Sequence, residues 1–162
     1  LLPVMRNGGG KVSLQGSISQ KFFSNLIDIQ DIYSTWDEDF IRAEVKGLTI
    51  SDNVTTGGRI GTFFTGGVDS LYTFLKHNEE ITDLIFVHGF DVGLEDITLR
   101  NKVSKKLKDV ADSFDKNLIE IETNLRHLLD SNAVDWGHSG HGSALAAIGQ
   151  IFPTQFDSQI DP

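Results

Sequence analysis

Apolar runs and amphipathic stretches alternate along the chain from about residue 59 onward. The apolar runs predict three strands, Ile60–Phe64, Leu84–His88 and Leu118–Glu122. The amphipathic stretches predict helices over Val68–His77 and Leu94–Phe114, and a third helix that begins near Leu125. Strands this apolar are typical of a parallel sheet that helices cover on both faces, joined by right-handed crossovers. A ligand is then expected at the carboxyl ends of the strands.

The first third of the chain has a different pattern. Alternation over Lys11–Ile18 predicts a short strand, and Ser19 is placed to cap a following helix. Apolar side chains recur along that helix at helical spacing, and we expect them to pack in the core: Phe22, Phe23, Leu26, Ile29, Ile32, Tyr33 and Trp36. A second strand is expected over Phe40–Ile50, broken at Gly47, and a polar loop over Ser51–Gly58 follows it.

These patterns divide the chain into three predicted parts. Residues 1–58 form a small N-terminal α+β lobe, residues 59–152 form the main domain, and residues 153–162, which lack periodicity, form an irregular segment. The predicted fold class is therefore α/β, with a twisted parallel sheet sandwiched by helices, Rossmann-like in outline, and the small lobe attached. Because Leu1 is not an initiator methionine, we expect the chain to be a piece of a longer protein.

Composition narrows the classes of function. The chain has 162 residues, a net charge of −9 and no cysteine. The negative charge makes nucleic acid an unlikely partner, since such binding needs clustered Lys and Arg, and we expect the basic run from Lys102 to Lys108 to be a solvated helix face. The lack of cysteine excludes a persulfide carried by this chain. No apolar stretch is long enough for a bilayer span, so we expect a cytoplasmic protein with no membrane partner.

A glycine turn joins the first strand of the main domain to its helix, with the sequence Thr65-Gly66-Gly67-Val68-Asp69-Ser70. Adjacent glycines let backbone N–H groups approach an anion, and a helix start adds unpaired N–H groups and the positive end of a dipole. The hydroxyls of Thr65 and Ser70 can donate further hydrogen bonds, and Asp69 can hold the Mg²⁺ that accompanies a polyphosphate. Neither a Walker lysine nor a Gly-x-Gly-x-x-Gly pattern is present, which disfavours those two nucleotide loops.

The turn resembles the Ser-Gly-Gly-x-Asp-Ser signature of the PP-loop ATP pyrophosphatases, the superfamily that includes asparagine, GMP, NAD and argininosuccinate synthetases. Thr65 stands where the signature has serine and keeps the hydroxyl. The resemblance implies a fold of the adenine nucleotide alpha hydrolase type. It also implies an ATP site, with phosphates on Thr65 to Ser70, adenine held by the main chain near Val87 and His88, and Asp69 and Ser70 nearest to the chemistry.

The resemblance implies a reaction as well. A carboxylate or carbonyl oxygen of a small-molecule substrate attacks the α-phosphorus of ATP, pyrophosphate leaves, and an amine or ammonia captures the adenylated substrate. The chain has no glutaminase with an N-terminal cysteine, so the nitrogen would come from a separate donor. Whether the chain forms a homo-oligomer stays open. So do two alternatives: a nucleotide-binding sensor or subunit that has lost the chemistry, which Thr65 favours, and a purely structural α/β protein.

A second group of candidates follows the spacing Asp-x-x-His-x-x-His, formed by Asp135, His138 and His141. The glycines and serines between Gly137 and Gly142 predict a flexible loop, from which these three side chains would contact substrate. A zinc or iron site built from the same three residues is the alternative.

Other polar residues allow further interpretations. Gly137–His141 is close to the nucleophile elbow of an α/β-hydrolase, but His141 stands at the last glycine position and no apolar strand precedes it. Arg100 and Arg126 are candidates for binding an acidic substrate, and Asp91 for a ribose hydroxyl or Mg²⁺.

Overall fold

The computed structural model describes residues 1–50 and 58–151, together with the backbone of a strand at 158–160. The predicted polar loop before Gly58 lies outside these residues. The helices are α1 (Leu2–Arg6), α2 (Gln20–Trp36), α3 (Val68–Lys76), α4 (Ile97–Ser113), α5 (Leu125–Asp130) and α6 (His141–Gly149). The strands are β1 (Gly10–Ile18), β2 (Ala43–Ile50), β3 (Ile60–Phe63), β4 (Asp83–His88), β5 (Asn117–Glu122) and β6 (Ser158–Ile160). One turn of π-helix, Trp136–Gly140, leads into α6.

The chain divides into two compact units. The first contains Leu1–Val54 and His127–His141, and the second contains Thr55–Arg126 and Gly142–Pro162. The division at 54 lies near the end of the predicted N-terminal lobe at residue 58. The segment His127–His141 differs from the prediction, because it groups with the first unit and not with the rest of residues 59–152.

The second unit is built on a four-stranded sheet whose order is β5-β4-β3-β6. Every neighbouring pair is parallel, which confirms the predicted parallel sheet with flanking helices. All six residues of β4 are buried, so both faces of this central strand are covered. The main core cluster combines strand and helix side chains: Phe64, Phe74, Ile81, Leu84, Phe86, Val92, Leu107 and Ala111. The result is a mixed α/β architecture compatible with a Rossmann-like fold.

The strand β6 was not predicted from the sequence. Residues 153–162 were expected to be irregular, but Ser158–Ile160 pairs with β3 in the register Ile60↔Ser158 and Thr62↔Ile160. The expectation of an entirely irregular segment is therefore wrong at these residues. A strand can be held by backbone hydrogen bonds to a neighbour without an apolar signature of its own, and Ser-Gln-Ile carries none.

The first unit holds a two-stranded parallel sheet, β1 with β2, which α2 connects. Ser19 caps α2 as predicted, accepting a hydrogen bond from the Phe22 N–H at 3.1 Å. The register shifts between Ser13 and Gly16. Gly47 lies opposite this bulge with φ of +82°, and a Cβ there would lie 2.4 Å from the Leu14 carbonyl oxygen. β2 continues through Gly47, so the predicted break in the second strand is wrong. The extra residue lies in β1, and glycine is required at position 47 because it faces that bulge.

The apolar stripe of α2 is only partly covered. Phe22, Phe23, Leu26, Ile29 and Tyr33 are half-buried. Ile32 is 45% exposed and Trp36 is 72% exposed, so the prediction that they pack in the core is wrong. The one fully buried residue of the helix is Gln30, whose Oε1 accepts a hydrogen bond from the Ala43 N–H at 2.7 Å. Periodicity shows which side chains share a face of a helix, but it does not show that another element covers that face.

Candidate functional site

The glycine turn lies between β3 and α3, as the sequence predicts. Gly66 has φ of +77°, a conformation that favours glycine, and a Cβ at this position would meet nothing within 4 Å. Gly67 is the N-cap of α3, with extended backbone and no side chain to occupy the helix start. Residues Thr65–Asp69 are exposed. The turn is therefore an exposed stretch of backbone at the start of a helix, where unpaired N–H groups favour an anion.

Two hydroxyl side chains hold the turn in shape. The Oγ1 of Thr65 lies 3.3 Å from the Oγ of Ser70 and accepts a hydrogen bond from the Gly67 N–H, also at 3.3 Å. Ser70 is 3% exposed, and its hydroxyl donates a hydrogen bond to the Gly67 carbonyl oxygen at 3.1 Å. The first and last residues of the turn thus tie it together from the inside. Asp69, in the first turn of α3, is exposed beside them.

The strand order places this turn at a reversal of the sheet. From β3 the chain proceeds to β4 and then β5 on one side, and it returns to place β6 on the other side of β3. In open parallel sheets the crevice at such a reversal, beyond the carboxyl ends of the strands, is the usual ligand site. Because the turn follows β3 directly, it borders that crevice.

The end of β4 presents main-chain groups next to the turn. Pairing between β3 and β4 ends at Phe63↔Ile85, and the Ile85 carbonyl accepts a hydrogen bond from the Phe64 N–H at 2.8 Å. Alternate residues of a strand direct their N–H and C=O groups to the same side, so those of Val87 face the side of β3, two residues past the last pair. The carbonyl of His88 faces the other way and accepts from the Thr123 N–H at 3.1 Å.

The side chain of His88 belongs to a different cavity, of about 280 Å³. Its lining comes from β4, β5 and α4: His88, Ile97, Arg100, Asn101, Ser104, Glu120 and Glu122. The Nε2 of His88 lies 2.8 Å from Glu120 Oε1, to which Ser104 also donates a hydrogen bond. The Nδ1 of His88 is buried without a hydrogen-bond partner among the described residues.

The pKa of Glu120 is shifted by the groups around it in this cavity. Burial raises its pKa, but hydrogen bonds from Ser104 and His88 and the charge of Arg100 outweigh burial and hold the pKa below its usual range. Neither Glu120 nor Ser104 is among the candidate residues that the sequence suggests. A glutamate within the apolar strand Leu118–Glu122 was the available signal.

The two arginines considered for substrate binding are committed within the second unit. Arg100 pairs with Glu122 and donates a hydrogen bond to the Leu94 carbonyl at 3.2 Å. Arg126 donates to the Phe90 carbonyl at 2.6 Å. Each therefore serves to hold the strand-end loops. The carboxylate of Asp91 is exposed, and the basic residues of the run Lys102 to Lys108 are exposed as expected.

Asp135, His138 and His141 lie in the first unit, whereas Thr65–Ser70 lies in the second. Asp135 Oδ1 accepts a hydrogen bond from the His138 N–H at 2.7 Å and lies 2.8 Å from His138 Nδ1. These contacts with His138 hold the pKa of Asp135 below its usual range. The ring of His141 packs edge-on against Trp136, with centroids 5.2 Å apart. The structure thus brings Asp135 and His138 together.

The segment around these residues is helical, and the expectation of a flexible loop is wrong. Asp135 caps the π-helical turn Trp136–Gly140, and α6 continues from His141. The carboxylate of Asp135 accepts a hydrogen bond from an N–H group of the first helical turn. This cap stabilises a helical turn that its glycines disfavour. Within the described part of the chain, no group of three His, Cys, Asp or Glu side chains is arranged to hold a metal ion. Ser139 donates its hydroxyl to the Asp135 carbonyl at 3.1 Å, and residues 131–135 before it contain no strand, so a hydrolase elbow is not formed.

Among residues 1–50 and 58–151, no helix combines the length and the apolar character that crossing a bilayer requires. In comparisons with family models, with curated proteins and with solved structures, nothing matches this chain.

Proposed function

We propose that this chain binds ATP with Mg²⁺ through the turn Thr65–Ser70 and belongs among the PP-loop ATP pyrophosphatases. The single observation that carries the proposal is the position of the turn. It follows β3 at the carboxyl edge of a parallel sheet, where the strand order reverses. The signature residues and the expected ligand crevice therefore coincide. Their agreement supports the proposal because residue identity defines the signature, whereas strand pairing independently defines the crevice. The finer fold assignment, the adenine nucleotide alpha hydrolase type, rests on the same coincidence.

The phosphates of ATP are assigned to the turn itself. Gly66 and Gly67 leave the backbone uncovered, and α3 adds the positive end of its dipole. The exposed carboxylate of Asp69 would repel a polyphosphate bound at the turn unless a cation lay between them. A bridging Mg²⁺ on Asp69 removes that repulsion, which makes nucleotide binding depend on the metal.

The adenine is assigned to the end of β4. The main-chain N–H and C=O of Val87 face the side of β3, past the end of the strand pairing. One donor and one acceptor in that position match the edge of an adenine ring. For His88 the assignment is limited to proximity, because its carbonyl already accepts from Thr123 and its imidazole faces Glu120.

The reaction that follows from this arrangement is adenylation of a small-molecule substrate. An oxygen of its carboxylate or carbonyl forms a bond to the α-phosphorus, and the bond to the bridging oxygen breaks with release of pyrophosphate. An amine from a separate donor then displaces AMP and forms the amide or C–N bond. The turn positions the phosphates and stabilises their charge, and Ser70 and Asp69 lie nearest the reacting phosphorus. A cytoplasmic location, where ATP is available, belongs to the same proposal.

Calorimetric titration tests the binding step. ATP and an analogue with a methylene group between the α- and β-phosphorus are titrated into the full chain with and without Mg²⁺. We expect saturable binding that requires the metal, and a loss of more than about tenfold in Asp69→Asn, equivalent to about 1.4 kcal/mol. Asp109→Asn is the matched control, since Asp109 is also an exposed aspartate on a helix.

The outcomes separate the proposed function from its alternatives. Unchanged binding in Asp69→Asn, or no binding by the parent chain, would overturn the assignment of the site. Metal-dependent ATP binding without pyrophosphate release, across a panel of carboxylates and amines, would favour the sensor or subunit. Thr65, whose hydroxyl is engaged within the turn, is the residue to change first in that case: Thr65→Ser restores the signature and should raise pyrophosphate release if turnover was the missing step.

A further inference from the structure

The first unit contains a cavity of about 720 Å³ that the proposed function does not use. Three aromatic residues, three carboxylates and one arginine are among the residues that line it. Its volume lies within the range of about 300–1,000 Å³ that is usual for small-molecule sites. All of its lining residues belong to the first unit, so the cavity is a property of that unit alone.

The aromatic side of the cavity is built from α2 and the segment that follows it. The rings of Tyr33 and Trp36 are 5.7 Å apart between centroids, and those of Tyr33 and Phe40 are 5.2 Å apart. Tyr33 is fixed in place because its hydroxyl donates to the Ser139 carbonyl at 2.6 Å. Trp36 is 72% exposed and therefore presents most of its indole to solvent. Aromatic faces carry partial negative charge and attract cations.

The charged side of the cavity has an excess of carboxylates. Arg6, the one arginine of the lining, forms ion pairs with Asp37 at 2.7 Å and with Asp39 at 3.3 Å. Its guanidinium also lies 5.2 Å from the centroid of the Phe40 ring, so this cavity already accommodates one cation on an aromatic face. Asp37 is thereby neutralised, whereas Glu38 forms no hydrogen bond or ion pair with any described residue.

Asp135 adds a second negative charge that no lysine or arginine of the lining neutralises. Its carboxylate contacts the exposed imidazole of His138, and those contacts hold its pKa low, so it is ionised at neutral pH. The lining of the cavity therefore combines the indole of Trp36 with the carboxylates of Glu38 and Asp135. This combination attracts a positively charged ligand and disfavours an anion such as a nucleotide.

We propose that this cavity binds a small organic cation, one that carries an alkylammonium group, on the face of Trp36 and beside Glu38. The proposal goes beyond the ATP site, and its test contains no nucleotide, so either proposal can fail while the other holds. The indole supplies the cation–π contact, and Glu38 and Asp135 supply the charge. Tyr33 packs edge-on against the indole, and Phe40 packs against Tyr33.

The probes for this test are choline and its uncharged analogue 3,3-dimethyl-1-butanol, called the alcohol below. The alcohol has the same shape as choline, with a carbon atom in place of the charged nitrogen. Each is titrated into the full chain and followed by calorimetry and by the NMR signals of the indole N–H groups. The chain has two tryptophans, and Trp36→Phe identifies the signal of Trp36. We expect choline to shift the Trp36 signal in a saturable way that weakens with added NaCl, and the alcohol to bind at least about tenfold more weakly.

Two variants locate the site. Trp36→Leu is expected to weaken choline binding about tenfold, and Glu38→Gln about fivefold, while Glu79→Gln, an exposed glutamate of the second unit, leaves it unchanged. Because Trp36 and Glu38 are both exposed, the circular dichroism spectrum of each variant should match the parent. Equal binding of the alcohol, a shift of the Trp136 signal in place of Trp36, no saturable binding of choline, or unchanged affinity in Trp36→Leu would each overturn the proposal.

Discussion

Each unit contains a parallel strand pair joined through a helix, but the two pairs are buried to very different extents. In the second unit β4 is buried at every position, whereas in the first unit most residues of β1 and β2 are exposed. The α2 helix of the first unit also leaves Trp36 and Ile32 exposed. The same local connection therefore serves two purposes. In the second unit it provides a buried core behind a strand-end turn, and in the first unit it leaves aromatic and charged side chains accessible.

The largest expected effect is a difference in stability between a buried apolar position of the second unit and an exposed apolar position of the first. Phe74→Ala, at a side chain that is 0% exposed, should reduce the free energy of unfolding by about 3–5 kcal/mol. Ile32→Ala, at a helix position that is 45% exposed, should cost about 1 kcal/mol or less. Urea denaturation followed by circular dichroism measures both. Similar losses for the two variants would show that the stripe of α2 is covered in solution.

A second contrast concerns one glycine in each unit that has positive φ. A Cβ at Gly89 would lie 1.8 Å from the Thr123 carbonyl oxygen, beside the buried end of β4. Gly89→Ala combines this clash with a strained backbone that alone costs about 1–3 kcal/mol. Gly47→Ala meets the Leu14 carbonyl at 2.4 Å, but in a mostly exposed sheet that can relax more easily. We expect the larger loss of stability in Gly89→Ala, and a larger loss in Gly47→Ala would contradict the comparison.

The smallest effect is electrostatic and compares a carboxylate in each unit. The pKa of Glu120 is lower in the folded state, so its contribution to stability is present above its ordinary pKa and is lost as the pH falls through the folded value. Ser104→Ala removes one hydrogen bond and should raise the pKa of Glu120 and reduce that loss. His138→Ala should likewise raise the pKa of Asp135, but with no measurable change in stability, because Asp135 is exposed. NMR titration of the side-chain carboxyl carbons follows both groups, and an unmoved Glu120 signal in Ser104→Ala would contradict the assignment.

Much of the second unit could be predicted because its signals are local. Continuous apolar runs gave β3, β4 and β5, and residue identity gave the turn Thr65–Ser70 between a strand and a helix. Its ATP chemistry stays a prediction, because no contact within the chain reports on a ligand.

The features that the sequence did not reveal depend on distant contacts. The strand β6 exists through its pairing with β3, and the grouping of His127–His141 with the first unit depends on packing that no local pattern encodes. The helical turn at Trp136–Gly140 depends on a single capping carboxylate, Asp135, which outweighs the glycine content around it. In the candidate sites, the partners of His88 and the aromatic lining around Trp36 come from different elements, so they can be identified only once the fold is known.

The pairing of β6 with β3 also has a consequence for the order in which the protein is made. A chain emerges from the ribosome at about 5–20 residues per second, and β3 obtains β4 as a neighbour long before Ser158–Ile160 is synthesised. Contacts between residues so far apart in sequence form slowly, because the intervening chain must first be ordered. The glycine turn would therefore border a sheet edge that is paired on one side only until Ser158–Ile160 emerges. Completion of its crevice would follow the pairing of β3 with β4 and would wait for β6.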